Sequence, residues 1–214
     1  MKRQYIWIVA LALILGGVGV FWFARNMPSG NQPYEGTELD GIAPDFRLTD
    51  QNGSYVSLSD FHGKVVVLTF MDSKCKDTCP LTAAQFLEAY KQLNQSEAKQ
   101  VVFLGVNVNV MANTVTIVLE TTHEWHLAGI PSWHFLTGDA KALEPVWKDY
   151  AIAVQPLPDG SEIMHTPGVF IIDSSGQERW YISTTFSEET DTDSTLPLNE
   201  LLVKHIREAL RDRE

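Results

Sequence analysis

The chain has 214 residues and a mass of 24.0 kDa, enough for one ordinary domain plus an appendage. Its 16 basic and 27 acidic residues give a formal charge of −11, which argues against nucleic-acid binding because a phosphate backbone selects for clustered Lys and Arg. Only two cysteines are present, Cys75 and Cys79. This count excludes a disulfide-dense scaffold and a four-cysteine zinc site.

The chain begins with a strongly apolar segment. Residues 5–24 form an uncharged run whose length matches the hydrocarbon core of a bilayer, about 30 Å at about 1.5 Å per residue. Lys2 and Arg3 precede this run, so the positive-inside rule places the N-terminus in the cytoplasm and the remainder outside it. We therefore predict a single-pass membrane anchor over residues 1–25 and an extracytoplasmic domain. A cleaved signal peptide is the alternative, and it leaves the domain in the same compartment.

A polar segment separates this anchor from the rest. Residues 26–41 are rich in Gly, Pro, Asn and acidic residues, which predicts a flexible tether. We expect the folded domain to occupy residues 42–214. In an extracytoplasmic compartment, a cysteine pair within that domain can form a disulfide.

Strands and helices alternate along the predicted domain. Runs rich in β-branched residues predict buried central strands at 65–70, 101–106 and 168–173. Further strands are predicted at 43–48, 55–58, 133–136 and 178–182, and helices at 80–93, 113–127, 140–150 and 198–211. This order predicts an α/β fold with a mixed sheet and helices on both faces. In such sheets the chemistry sits beyond the carboxyl ends of the central strands, where both cysteines lie.

The two cysteines form a C-x3-C-P motif at a junction between a strand and a helix. The N-terminus of a helix stabilises a thiolate, so at least one of these thiols should be more acidic than an ordinary cysteine. Thiolates are also soft ligands that suit Cu(I), so the motif is compatible with redox chemistry and with metal binding. A purely structural disulfide is disfavoured, because so short a loop constrains the unfolded chain very little.

The motif and its surroundings resemble a known family. Residues 43–70 are similar to the opening of thioredoxin-like and peroxiredoxin-like domains, and the C-x3-C-P that follows resembles the SCO/SenC family of copper chaperones for cytochrome c oxidase assembly. In that family two cysteines and a distant histidine bind one copper. The resemblance, which covers roughly residues 43–181, implies a thioredoxin-like fold and a copper site formed by Cys75, Cys79 and His165.

Two departures from the family pattern support a second hypothesis. The stretch around Asn107 lacks the acidic residue that the family carries there, and Pro167 stands where thioredoxins have a cis proline facing their cysteines. Both features favour a membrane-anchored thiol–disulfide oxidoreductase that reduces partner cysteines. A third hypothesis is a redox-inert scaffold that serves only for protein contacts.

The predicted partners follow from these hypotheses. They are a subunit of cytochrome c oxidase or another copper or thiol protein, together with the membrane through the N-terminal helix. Met71 and Met164 are soft thioethers near the motif, and we interpret both as core residues. The remaining histidines are interpreted as structural or surface residues: His62, His123, His126, His134 and His205.

Overall fold

The computed structural model describes residues 36–157, 163–184 and 196–211. The predicted anchor at residues 1–25 lies outside these ranges, as does most of the predicted tether. Among the helices within them, none is both long enough and apolar enough to cross a bilayer.

The described residues contain ten strands, five α-helices and two short 3-10 helices at Leu58–Phe61 and Leu127–Gly129. The strands are β1 (Thr37–Ile42), β2 (Arg47–Thr49), β3 (Tyr55–Ser57), β4 (Val65–Met71), β5 (Val101–Asn107), β6 (Trp133–Leu136), β7 (Val154–Pro156), β8 (Ile163–His165), β9 (Val169–Ile172) and β10 (Gln177–Ile182). The helices are α1 (Thr78–Gln92), α2 (Gln95–Lys99), α3 (Val115–Glu124), α4 (Ala140–Asp149) and α5 (Leu198–Arg211).

A mixed six-stranded sheet in the order β1-β10-β9-β4-β5-β6 forms the centre of the fold. Strands β4, β5 and β6 run parallel, whereas β9, β10 and β1 each run antiparallel to the neighbouring strands. The predicted α/β fold with a mixed sheet is therefore confirmed. The three predicted central strands are confirmed as well, and every residue of β4, β5 and β9 is buried.

Two apolar cores cover the two faces of this sheet, because successive side chains of a strand point to opposite faces. On β4, Val65 and Val67 belong to the core that contains Phe86 of α1 and the apolar face of α5. Val66 and Leu68 belong to the opposite core, which contains Leu143 and Trp147 of α4. Burial on both faces explains why these strands are continuous apolar runs.

The structure differs from the sequence prediction at five places. The strand predicted at 43–48 is replaced by β2, which spans only Arg47–Thr49. Strand β1 falls within the segment predicted as a tether; it is an edge strand with almost every residue exposed, so it lacks the apolar alternation that marks a strand. The small hairpin of β7 and β8 and the short helix α2 were not predicted. Helix α3 is shorter than predicted and ends at Glu124, just before His126 adopts a left-handed backbone with φ of 60°.

A buried amide joins the loops that follow β4 and β5. The side chain of Asn107, which is fully buried, accepts N–H groups from Ser73 (3.3 Å) and Asn109 (3.1 Å). It donates to the carbonyl oxygens of Asn109 (3.2 Å) and Ala112 (2.9 Å). Both donors and the acceptor of this amide are thus used, which is what a buried polar group requires.

A second set of contacts holds the segment that follows β8. Thr69 Oγ1 of β4 donates to the carbonyl oxygen of Gly168 at 2.9 Å, and the Tyr181 hydroxyl donates to the carbonyl oxygen of Pro167. Gly168 lies so close to the Tyr181 ring that an added Cβ would stand 2.3 Å from a ring carbon. A glycine is therefore required at position 168 for this close approach.

Replacement of Gly168 by alanine should destabilise the protein by about 1–3 kcal/mol, because the new methyl group overlaps the Tyr181 ring. Thermal denaturation measures the loss. Gly41→Ala is the matched control, since a Cβ at Gly41 meets nothing within 4 Å. Equal melting temperatures for the two variants would contradict the prediction.

Asn107→Asp should lower the free energy of unfolding by about 1–3 kcal/mol, because two buried carbonyl oxygens lose their donor and face a carboxyl group instead. Urea denaturation gives the value. The control is Asn94→Asp, the same chemical change at a helix cap where only the side-chain oxygen is used. Asp and Asn cap helices about equally well, so this control should unfold like the parent chain.

Candidate functional site

Cys75 and Cys79 lie beyond the carboxyl end of β4, where the sequence predicted the site. Cys75 is partially exposed in the loop after β4, and Cys79 is buried in the first turn of α1 with 4% of its surface exposed. Both are free thiols in this structure. The pair therefore presents one accessible sulfur and one sulfur shielded by the core.

Hydrogen bonds to Asp72 shape the loop that carries Cys75. The backbone N–H of Cys75 donates to the carbonyl oxygen of Asp72 at 3.0 Å, and the backbone N–H of Lys74 donates to its carboxylate at 2.8 Å. Ser73 adds a bond from its hydroxyl to the carbonyl oxygen of Ala112 at 2.8 Å. Each of these hydrogen bonds fixes one position of the loop, and together they fix the backbone that carries the Cys75 sulfur.

The sulfur of Cys75 receives a bond from the N-terminus of α1. The side chain of Asp77, at the N-cap position, makes no capping hydrogen bond. The backbone N–H of Cys79 points instead to Cys75 Sγ at 3.5 Å, and Thr78 Oγ1 lies 3.8 Å from the same sulfur. The Cys75 sulfur thus lies where the free N–H groups of a helix favour a negative charge.

These contacts make the two thiols very different acids. The pKa of Cys75 is lowered to about 5, chiefly because the Cys79 thiol donates a hydrogen bond to the Cys75 sulfur. Burial opposes this effect, and the backbone N–H groups of Cys79 and Asp77 add to it. The same hydrogen bond keeps the proton on Cys79, and burial and the charge of Cys75 add to it, so the pKa of Cys79 is raised. The prediction that one cysteine is unusually acidic is confirmed for Cys75.

His165 reaches this pair although it lies 86 residues after Cys79 in the chain. Its Nε2 is 3.8 Å from Cys79 Sγ, and its Nδ1 is 3.1 Å from the carbonyl oxygen of Thr166. Because a carbonyl oxygen can only accept, we assign the ring proton to Nδ1. Nε2 is then left with a lone pair directed at the sulfur, the form in which a histidine binds a metal.

The structure brings the three predicted residues together in pairs. Cys75 contacts Cys79, and Cys79 contacts His165. Within the described ranges, no group of three or more His, Cys, Asp or Glu side chains is already arranged to hold a metal ion. The donor chemistry of two thiols and one neutral imidazole nevertheless suits a soft ion such as Cu(I).

Three further expectations about this region have clear outcomes. Met71 is buried, as predicted, whereas the prediction of a core position for Met164 is wrong, because that side chain is 55% exposed. Met164 belongs to β8, which pairs only with β7, and strand neighbours point to opposite sides, so it faces away from the side occupied by His165. The likeness of Pro167 to the cis proline of thioredoxins does not extend to the bond itself, since the Thr166–Pro167 bond is trans.

The other histidines lie outside the cysteine site. His134 contacts the Asp50 carboxylate at 3.1 Å, and His205 contacts Glu208 at 2.9 Å while packing on the ring of Trp180. His62, His123 and His126 are exposed. The interpretation of all five as structural or surface residues is in keeping with these positions.

Sequence reasoning missed one residue of the site, Asp72. This side chain is buried, with 1% of its surface exposed, and its Oδ1 accepts from Asn109 Nδ2 at 2.8 Å. A buried acidic residue therefore lies on the segment after β4, and the amide of Asn109 on the segment after β5 donates to it. One sequence signal could have indicated Asp72: it directly follows the seven-residue buried strand β4 and precedes the cysteine motif, at the carboxyl end of the strand where such sites lie.

Comparison with known proteins identifies the family of the chain. A family model described as SCO1/SenC matches residues 35–196, which is most of the chain. The chain is 25% identical over 197 residues to the mitochondrial SCO2 homolog of Bos taurus, with 87% of this chain and 73% of that protein aligned.

Solved structures show the same fold. A structure of Arabidopsis thaliana ScoI with copper bound superposes with a TM-score of 0.63 at 20% identity, covering 80% of this chain and 99% of that one. BsSco, described with a disulfide switch and as a member of the Sco family of cytochrome c oxidase assembly proteins, gives a TM-score of 0.59 at 19% identity, covering 81% of this chain and 96% of that one. With the match of the family model, these likenesses mean that the chain is a member of the SCO1/SenC family and has its thioredoxin-like fold.

Proposed function

We propose that this chain is a copper-binding chaperone that helps to assemble the copper centre of cytochrome c oxidase. The observation that carries the proposal is the approach of His165 Nε2 to Cys79 Sγ, which joins a third soft donor to the cysteine pair. Copper in the ScoI structure and oxidase assembly in the description of BsSco support it. The partner in this proposal is an oxidase subunit that accepts copper, or another copper or thiol protein.

The residues of the site have distinct roles in this function. Cys75 supplies a thiolate that is already formed at neutral pH, Cys79 supplies a second sulfur once its proton leaves, and His165 supplies Nε2. The bond from His165 Nδ1 to the Thr166 carbonyl oxygen keeps the ring in the tautomer that binding needs. Copper is the cargo of the protein, so the site must also release it.

The proposal includes the placement of the domain. A membrane anchor over residues 1–25 and a tether that ends before β1 hold the folded part outside the cytoplasm, in reach of an oxidase in the same membrane. In that compartment Cys75 and Cys79 are a redox-active pair, and their oxidation to a disulfide removes both sulfur ligands.

A second function is favoured by the asymmetry of the two thiols. A partially exposed thiolate beside a buried, protonated thiol is the arrangement that a thiol–disulfide oxidoreductase uses. The Cys75 thiolate attacks a partner disulfide and releases one partner thiolate. Cys79 then loses its proton and attacks the Cys75 sulfur, which releases the second partner thiolate and leaves a disulfide on this chain. The partner gains the two electrons that the chain loses.

Copper titration of the purified full-length chain in detergent tests the first function. We expect one Cu(I) per reduced chain, and at least a hundredfold weaker binding in Cys75→Ser, Cys79→Ser and His165→Ala, because each variant removes one of three ligands. His62→Ala, which removes an exposed histidine outside the site, should bind as the parent does. Absence of stoichiometric copper in the parent chain would refute the chaperone function.

The acidity of Cys75 predicts a particular pH profile of alkylation. Iodoacetamide should modify Cys75 with a rate that is half-maximal near pH 5, since the thiolate is the nucleophile, and Cys79 should remain unmodified. Cys79→Ala removes the donating thiol, so the midpoint of Cys75 should move upward. Mass spectrometry after timed alkylation measures both midpoints, and a parent midpoint near that of an ordinary cysteine would contradict the prediction.

A further inference from the structure

His165 is carried by a part of the fold that lies outside the main sheet. Strands β7 and β8 form a separate two-stranded sheet, and a hairpin of two strands is at best marginally stable by itself. Val154 and Ile163 pack on the apolar core that contains Trp147, but apolar contact is non-directional. The position of a metal ligand has to be correct to within about 0.2 Å, which such packing does not ensure.

The residue after His165 extends the hairpin without joining it to the main sheet. The N–H of Thr166 donates to the carbonyl oxygen of Ala153 at 3.0 Å, and Thr166 Oγ1 accepts the N–H of Ala153 at 3.0 Å. These bonds connect the two arms of the hairpin, so they leave its position relative to the main sheet open. A directional link to that sheet has to come from further along the chain.

Two hydroxyl groups of the main sheet supply this link. Tyr181 of β10 donates to the carbonyl oxygen of Pro167, and Thr69 of β4 donates to that of Gly168 at 2.9 Å. The Tyr181 ring packs against Gly168 on one side and lies 5.1 Å from the ring of Phe170, which fixes the place of its hydroxyl group. Two consecutive carbonyl oxygens thus connect the hairpin to the sheet.

The bond from Tyr181 is the one closest to the imidazole. A proline ring fixes its φ angle, so a single soft backbone angle, ψ of Pro167, separates its carbonyl oxygen from the peptide plane that contains the Thr166 carbonyl. The Thr166 oxygen accepts the Nδ1 proton of His165 at 3.1 Å, and Nε2 of the same ring lies 3.8 Å from Cys79 Sγ. A short series of bonded groups therefore joins the Tyr181 hydroxyl to the third donor of the proposed copper site.

We propose that Tyr181 is a positioning residue for this site: its hydroxyl group fixes the Pro167 carbonyl oxygen and thereby holds the imidazole of His165 toward Cys79. This inference rests on the proposed copper function, and Tyr181 acts in it through the backbone rather than as a ligand. Without the hydroxyl group the segment is still bonded at Gly168, so the imidazole loses its alignment but stays near the cysteines.

Tyr181→Phe removes only the hydroxyl group, and Tyr150→Phe is its matched control. Tyr150 also donates to the carbonyl oxygen of a proline, Pro44, at 2.9 Å, and its ring also packs against Phe170. Both variants lose the same kind of bond, so their melting temperatures should fall by similar amounts. In copper titrations of the full-length chain in detergent, Tyr181→Phe should bind Cu(I) about tenfold more weakly, the loss typical of groups that orient a metal ligand. Tyr150→Phe should bind as the parent does.

A double-mutant cycle separates an effect on His165 from a general effect on the fold. If Tyr181 acts through the imidazole, Tyr181→Phe should change the Cu(I) affinity of the His165→Ala chain by less than about twofold, because the ring that it positions is gone. An equal loss of affinity in the parent and in the His165→Ala chain would overturn the inference, since the hydroxyl group would then act on some other part of the site.

A further measurement needs no copper. NMR of isotope-labelled histidine rings in the metal-free chain reports which ring nitrogen carries the proton, and His165→Ala identifies the signals of that residue. We expect His165 to be protonated at Nδ1 in the parent and in Tyr150→Phe, and to be a mixture of both tautomers in Tyr181→Phe, where the Thr166 acceptor is no longer held in place. Signals of His165 that are unchanged in Tyr181→Phe would overturn the inference.

The outcomes distinguish this inference from the function on which it rests. If the parent binds one copper but Tyr181→Phe and Tyr150→Phe weaken binding equally, the chaperone function stands and the role of Tyr181 is overturned. A parent chain without stoichiometric copper refutes the chaperone function, whereas the tautomer of His165 in the metal-free chain still reports whether Tyr181 positions the ring.

Discussion

The parallel pairing of β4 with β5 is the constraint on which the site depends. The two strands are in register along their whole length, from Val65 opposite Val101 to Met71 opposite Asn107, so they end side by side. Both are buried on both faces, and a shift of register would move their side chains to the wrong core. The loops that follow therefore begin at one edge of the sheet, and the buried amide of Asn107 then joins them.

At that edge, burial and hydrogen bonding give the two cysteine side chains opposite pKa shifts. Cys75 is accessible and receives N–H and thiol donors, so its negative charge is favoured; Cys79 lies in the core beneath it and keeps its proton. The same division serves a metal and a disulfide, because both use the sulfur lone pairs. In the two functions proposed above, the thiolate of Cys75 would be the first ligand in one case and the attacking group in the other.

His165 completes the site from a different part of the fold. It stands at the end of the β7–β8 hairpin, opposite Val154, and the segment after it is held against β4 and β10 by Thr69 and Tyr181. The ring can meet Cys79 only while this segment keeps its place. The close approach of Gly168 to the Tyr181 ring thus helps to fix the segment that follows His165.

The sequence by itself determined the central strands, the helices packed on them and the position of the cysteine motif, because continuous apolar runs and helical spacing are local patterns. It also indicated His165, through resemblance to a family. It did not reveal β1, whose exposed residues carry no apolar period, or the place of Asp72 beside Cys79. Those features, the acidity of Cys75 and the exposure of Met164 were decided only by the tertiary structure, since burial and hydrogen-bond partners come from residues far apart in the chain.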